Sequence, residues 1–152
     1  MEVIYTVPPN TNVVTYASWA AAHNLFGANG AAAADPDGDG VSNLAEFAYN
    51  MDPNVYDPYP LKPGGKVGLP APYLVAVSGG SALDIEFVRR KAAAAAGLSY
   101  TVLFSGDLAG PWVAGFPPIV TSIDADWERV RVHDTRIPNA RRFGKVVLTL
   151  QP

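Results

Sequence analysis

Residues 35–47 read DPDGDGVSNLAEF, and this stretch governs how the first third of the chain is expected to fold. Aspartates take the first, third and fifth places of a twelve-residue loop, glycine the sixth and glutamate the twelfth, as in the pattern D-x-[DN]-x-[DN]-G-x5-E. A hard cation of calcium's size takes about six to eight oxygen ligands, and a tightly wound loop turns alternate side chains toward such an ion. The stretch therefore predicts a calcium-binding loop between two helices.

The expected ligands are oxygen atoms spaced around this loop, and they belong to Asp35, Asp37, Asp39, Val41, Asn43 and Glu46. Val41 offers its backbone carbonyl, Asn43 binds directly or through a water, and Glu46 chelates with both carboxylate oxygens from the first turn of the second helix. Gly40 supplies a sharp bend that a Cβ would obstruct. Because the acidic side chains repel one another without a cation, Ca²⁺ is expected to act as a folding ligand.

Two other interpretations of the loop stay open at this point. Aspartate and glycine are also common in surface turns that bind nothing. Magnesium is a weaker fit, because it requires near-octahedral geometry at about 2.0–2.1 Å and retains several waters. The eighth place is Ser42, where paired regulatory loops carry an apolar residue, and the sequence contains no second copy of the motif. This argues against a calcium sensor that opens on binding.

The residue patterns divide the chain into four segments. They are an extended arm or strand, a helix-loop-helix unit, a Pro/Gly-rich linker and a β-sandwich, at residues 1–14, 15–53, 54–72 and 73–152. Thr15 is a suitable N-cap for the first helix and Gly27 a suitable stop, and the second helix is expected to end near Asn50. The prolines and glycines of the third segment exclude a helix or a central strand, so it is a linker or a long surface crossing.

Six short β-rich runs with a period of two follow the linker, at residues 73–77, 83–89, 100–105, 119–124, 127–133 and 145–150. In the fifth run Val130 and Val132 would face the core. Arg129, Arg131 and His133 would then face outward, which predicts a half-buried sheet. The alanine-rich run between the second and third strands is expected to be a simple connection. The expected fold class is α+β, mainly β, with a helix-loop-helix calcium site followed by a small antiparallel β-sandwich.

Composition restricts the classes of partner. Charged residues make up 16% of the chain, hydrophobic residues 49%, and the net charge is −3. Such a neutral surface offers no electrostatic footprint for nucleic acid or an anionic membrane, and it favours self-association. Cysteine is absent, which excludes disulfides and thiolate chemistry. The sequence has no apolar run of about 18 residues and no signal-peptide layout at its start, so we expect a cytosolic protein or a piece of a longer one, and the calcium loop favours the second.

The stretch ADPDGDGVSNLAEFAYNMDP, followed by LDIEFVRR, LSYTVLFSGDLAGPW and a closing RRFGKVVLTLQP, resembles a module at the C-terminal ends of large secreted bacterial proteins. The loop itself is similar to the single EF-hand-like calcium loops of dockerins and thrombospondin type 3 repeats. The resemblance covers most of residues 16–152. It implies an extracellular or cell-surface location, calcium from the medium, and a role in attachment or assembly. Dockerins have two such loops, so the resemblance does not extend to a cohesin partner.

Several other side chains carry weaker indications. His23 lies on the apolar face of the first helix and is expected to pack in the core, and no motif gives it or His133 a catalytic partner. Asp124 and Asp126 are expected to cap a turn rather than to act as a catalytic pair. An aromatic group either fills the core, which we favour, or forms a platform for sugar stacking. Its members are Tyr73, Tyr100, Trp112, Phe116 and Trp127.

Together these patterns predict a non-catalytic, calcium-binding extracellular structural or adhesive module. The neutral composition and the strand-like residues 2–7 further predict that copies assemble into surface fibres or arrays through the arm. The alternative is a calcium-stabilised carbohydrate-binding module of a secreted protein. Expected partners are therefore calcium, further copies of the chain and surface polysaccharide, without nucleic acid or membrane insertion.

Overall fold

The structure is a computed structural model that describes residues 13–91, 97–135 and 141–151. The described residues form two α-helices, α1 (Tyr16–Ala22) and α2 (Asn43–Tyr49), and a short 3-10 helix at Gly27–Gly30. They also form seven β-strands: β1 (Ala71–Val77), β2 (Gly80–Arg90), β3 (Leu98–Ser105), β4 (Val113–Ala114), β5 (Ile119–Ser122), β6 (Trp127–His133) and β7 (Phe143–Leu150). The predicted class, α+β and mainly β, is confirmed. No described helix is long and apolar enough to cross a membrane.

Two sequence predictions concern segments that lie wholly or largely outside the residues that the structure describes. The arm predicted at residues 1–14 lies outside the described residues except for its last two positions. The centre of the alanine-rich connection, residues 92–96, lies outside them as well.

The strands form two antiparallel sheets with the orders β1-β2-β6-β5 and β4-β3-β7. Their facing sides share one apolar core, to which β2, β3 and β6 contribute Leu83, Ile85, Phe87, Val102, Phe104, Val130 and Val132. Val130 and Val132 are buried as the alternation predicts. The two-residue β4 was not predicted, because so short a strand has no period to detect.

The outer face of the first sheet is covered more completely than the alternation predicts. β2 is buried on both faces, because the Pro/Gly-rich segment between α2 and β1 crosses this sheet. Leu61, only 2% exposed, packs there against Val88 and Trp127. The Gly65 carbonyl accepts a hydrogen bond from the Arg129 guanidinium. The segment is therefore a packed surface crossing, and the outer face is only partly open to solvent.

Helix α1 begins as predicted and ends earlier. The Thr15 side chain accepts a hydrogen bond from the Ser18 backbone N–H at 3.1 Å, which confirms Thr15 as the N-cap. The helix stops before the predicted Gly27, because Asn24 adopts a left-handed conformation with φ of 59°. Phe26 therefore leaves the apolar face and is 67% exposed. Helix α2 ends at Asn50, also left-handed, where its end was predicted.

Arg90 of β2 joins α2 to the sandwich. Its guanidinium carbon lies 4.6 Å from the ring centroid of Phe47 on α2 and 4.4 Å from that of Trp127 on β6. Its Nε donates a hydrogen bond to the Phe47 carbonyl at 3.2 Å. The Tyr100 hydroxyl donates to the Ala48 carbonyl at 2.9 Å. These contacts fix the orientation of α2, and with it the direction in which its first turn presents Glu46.

Candidate metal centre

The backbone of the predicted loop is wound around its own aspartates. Asp35 Oδ1 accepts hydrogen bonds from the N–H groups of Gly38 and Asp39, at 3.0 and 3.2 Å, and Asp35 Oδ2 accepts one from Gly40 at 2.9 Å. The φ of Gly40 is +87°, a conformation that side-chain-bearing residues rarely adopt, so the predicted bend is confirmed. The winding leaves the carboxyl groups of the loop close together.

Five carboxyl groups form one continuous cluster. Asp35, Asp37 and Asp39 each contribute an oxygen atom to a group whose members all lie within 4.8 Å of one another. Asp39, Glu46 and Asp57 form a second group under the same distance limit. Because Asp39 belongs to both groups, the loop, the first turn of α2 and the crossing segment meet at one place.

Glu46 is the most constrained member of the cluster. Its side chain is completely buried, and neither carboxylate oxygen has a hydrogen-bond partner among the described residues. A buried polar group without a partner costs about 1–3 kcal/mol, and more when it is charged. No described lysine, arginine or histidine forms an ion pair with any of the five carboxyl groups. The described part of the chain thus supplies no compensating charge to Glu46.

The electrostatics of the cluster reflect this imbalance. Burial raises the pKa of the Glu46 carboxyl to about 8, with further contributions from the charges of Asp37, Asp39, Asp57 and Asp35. Burial is also the main cause of the raised pKa of Asp37 and of Asp57, and neighbouring aspartates add to both. A bound cation would reverse these effects, because it favours the charged form of every carboxyl group around it.

Asp57 is the member that the sequence did not predict. Its backbone N–H donates a hydrogen bond to Asp39 Oδ2 at 3.1 Å, which holds it against the loop. Asp57 lies beyond the twelve-residue pattern, in the proline-rich segment that follows α2. The local sequence offers only an aspartate flanked by turn-forming residues, which is a common and unspecific feature.

Two predicted ligands, Asn43 and Val41, also anchor the loop. Asn43 is buried, and its Nδ2 donates to the carbonyls of Asn29 and Ala31 at 2.7 and 3.0 Å, while its Oδ1 has no hydrogen-bond partner among the described residues. Asn43 therefore ties the start of α2 to the turn that precedes the loop. The Val41 side chain lies in the core shared by the two sheets. These two residues, at the seventh and ninth places of the loop, therefore attach the loop to the rest of the molecule.

Both histidines lie outside the carboxyl cluster. The His23 ring packs 4.9 Å from the Trp19 ring, and its Nδ1 lies 3.5 Å from Asp52 Oδ1. His23 remains partly exposed, because α1 ends there and the chain turns away. His133 faces Asp84 on the outer side of the first sheet.

Asp124 and two members of the aromatic group, Tyr100 and Trp127, make contacts within the fold. Asp124 Oδ1 accepts hydrogen bonds from the N–H groups of Asp126 and Trp127, at 3.0 and 2.9 Å, so Asp124 caps the turn before β6 as predicted. Trp127 is buried, and the Tyr100 ring stacks on Phe87 with 5.7 Å between centroids. Trp127 thus fills the core, as favoured, whereas Tyr100 is only partly buried.

Comparison with known proteins assigns no family to this chain. No protein-family model matches it, and no curated protein is significantly similar to it in sequence.

Proposed function

We propose that this chain is a non-catalytic, calcium-binding extracellular structural or adhesive module. The calcium ion would be held by the carboxyl groups of Asp35, Asp37, Asp39, Glu46 and Asp57, with oxygens of Val41 and Asn43 completing the set. The observation that carries the proposal is the Glu46 carboxylate, completely buried, without a hydrogen-bond partner among the described residues, and beside the oxygens of Asp39 and Asp57. A buried charge needs a counter-charge, and a divalent cation would provide it.

The composition of the cluster favours calcium over other metals. The two groups of clustered residues offer only carboxylate oxygens as ligands. The first group is Asp35, Asp37 and Asp39, and the second is Asp39, Glu46 and Asp57. Zinc prefers nitrogen and sulfur ligands, which the cluster lacks. Magnesium keeps several waters and an octahedral geometry at about 2.0–2.1 Å, whereas calcium accepts many carboxylates in an irregular arrangement.

The position of the cluster supports a structural role for the ion. Asp57 belongs to the segment that continues over the outer face of the first sheet, and Glu46 belongs to α2, which Arg90 attaches to the sandwich. A single ion bound here would join the loop, the helix and the crossing segment. An extracellular location would suit this role, since the medium supplies millimolar calcium to sites of modest affinity.

Calorimetric melting in calcium and in chelator tests the proposal. With a Kd of about 10⁻⁴ M and calcium at about 1 mM, binding stabilises the folded chain by about 1.4 kcal/mol. For a chain of this size that corresponds to an increase in Tm of about 3–6 °C. Magnesium at the same concentration is the matched control, and it should give a smaller increase. Equal melting temperatures in calcium and in chelator would contradict the proposal.

A further inference from the structure

A groove opens between the two sheets of the sandwich. Its volume is about 360 Å³, and buried apolar side chains of three strands, Phe87, Val102 and Val130, form its floor. The chain around Gly115 closes one end, where a Cβ would lie only 2.6 Å from atoms of Phe104 and Val132. The groove is therefore a mainly apolar slot with one closed end, and Arg89 is the charged residue in its lining.

One wall of this groove is an open strand edge. β3 pairs with β7 along its whole length, but on the opposite side it pairs with β4 only at Leu103 and Phe104. Within the described parts of the chain, no strand pairs with that side of residues 98–102. Tyr100, Thr101 and Val102 of this edge line the groove. Unpaired N–H and C=O groups beside an apolar slot form a template for one more strand.

We propose that residues 3–7 of a second copy of this chain bind in the groove as a strand along the open edge of β3. The added strand would continue the ladder that β4 begins. This proposal specifies the self-assembly that the sequence predicts; it rests on the structural role in the proposed function, and it does not depend on the metal.

The sequence of the arm fits the groove in length and in pattern. The open edge, residues 98–102, contains five residues, and so does the strand-like part of the arm, residues 3–7, which reads VIYTV. With Val3, Tyr5 and Val7 toward the apolar floor, Ile4 and Thr6 face outward beside the exposed Thr101. Pro8 and Pro9 follow directly; they have no N–H group to donate, so the ladder ends there.

The reach of the chain favours a second copy over the chain's own arm. Val14 and Leu98 both pack against the cluster around Trp19 and Phe47, so the described chain begins close to the cluster that also holds the first residue of the open edge. An arm that paired Val14 with Leu98 and ran antiparallel to β3 would place residues 10–13 opposite residues 99–102. Residue 7 would then lie opposite Ser105, the last residue of β3, and residues 3–6 past its end. The two prolines restrict the chain to extended conformations and oppose a turn back toward the edge.

Single-cysteine variants test the contact directly, because the chain contains no cysteine. Thr101→Cys is mixed under oxidising conditions with Ile4→Cys, with Thr6→Cys or, as the inward-facing control, with Tyr5→Cys. We expect a disulfide-linked pair of copies with Ile4→Cys if the strands are antiparallel, or with Thr6→Cys if they are parallel. Tyr5→Cys should remain unlinked. An internal disulfide in a monomer that carries both Thr101→Cys and Ile4→Cys would overturn the proposal, as would no linkage in any mixture.

Particle sizing of full-length variants provides the second test. The wild-type chain should assemble in calcium. Tyr5→Asp should lose assembly, because it would bury a charge in the groove. Thr6→Asp is the control and should retain assembly, because residue 6 would face outward. A monomeric wild type, or assembly that survives Tyr5→Asp, would overturn the proposal. The calcium-dependent increase in Tm should be the same in Tyr5→Asp as in wild type, so a failure of the groove proposal is distinguished from a failure of the metal site.

Discussion

Two groups of buried acidic side chains differ in what neutralises them. On the outer face of the first sheet, Asp84 and Glu86 are buried and face cations from β6. Arg129 Nη1 lies 2.6 Å from Glu86 Oε1, and Arg131 Nη2 lies 3.4 Å from Glu86 Oε2. In the carboxyl cluster, Glu46 is also buried, and the described residues provide no cation to it.

The difference is the basis on which we propose a structural use for one group of acids and a binding use for the other. On the sheet, the neighbouring strand supplies cations that pair with the buried carboxylates. In the carboxyl cluster, a buried carboxylate must either take up a proton or be paired with a cation from solution. Each group can be disrupted without touching the other, which gives the following tests.

The largest effect is expected from breaking the sheet group. Arg129→Met removes the partner of Glu86 and the donor to the Gly65 carbonyl, and leaves a buried carboxylate without its closest cation. We expect the free energy of unfolding to fall by about 3 kcal/mol, in calcium and in chelator alike. Denaturant unfolding measures it. Arg141→Met, at an exposed position, is the matched control and should change little. A decrease in the free energy of unfolding that occurred only in calcium would contradict the independence of the two acidic groups.

Glu46→Gln tests the loop group. The neutral side chain keeps the shape and removes the buried charge, so calcium affinity should fall on the order of 100-fold, because affinity depends on the number of charged ligands. In chelator the variant should be at least as stable as wild type, because no uncompensated charge remains buried. Isothermal titration calorimetry measures the affinity. Glu128→Gln, which alters a carboxylate 2.7 Å from Arg89, is the control and should bind calcium normally.

Asp57→Asn asks whether the ion also binds the segment outside the loop. Loss of one charged ligand should lower calcium affinity by about tenfold, a smaller loss than that of a bidentate ligand. Asp52→Asn is the control. Asp52 also lies between α2 and β1, but it belongs to neither of the two groups of clustered carboxylates. Identical calcium affinities for the two variants would remove Asp57 from the ligand set.

The pH dependence tests the Glu46 carboxyl group without a substitution. The pKa of Glu46, about 8 in the folded metal-free chain, lies above its ordinary value of 4.5. The protonated form is therefore favoured by folding, so its stabilisation is complete below about pH 4.5 and is lost as the pH rises through about 8. In chelator, the free energy of unfolding should thus decrease from pH 5 to pH 8. Calcium should oppose the decrease, and Glu46→Gln should remove this contribution. A wild-type profile in chelator that matches Glu46→Gln would contradict the assignment.

The sequence predicts the carboxyl groups within the loop, but it does not predict Asp57, which another segment of the chain contributes. Asp35, Asp37, Asp39 and Glu46 lie within twelve residues, so their spacing alone brings them together. Asp57 joins them only because the crossing segment folds back on the loop, and a local pattern carries no information about that path.

The same limit applies outside the metal site. The N-cap at Thr15 follows from neighbouring residues and was predicted. The cover over the outer face depends on Leu61, which packs against Val88, a residue far along the chain. The fold class is confirmed because the alternation within each strand is also a local property.

The position of Arg90 between Phe47 and Trp127 has a spectroscopic consequence. The indole of Trp127 belongs to β6, while the cation beside it is hydrogen-bonded to the carbonyl of Phe47 on α2. Any loosening of α2 alters the polarity and the charge around that indole. In a variant with Trp19→Phe and Trp112→Phe, which keeps only the Trp127 indole, intrinsic fluorescence therefore reports whether the helix that carries Glu46 is seated on the sandwich.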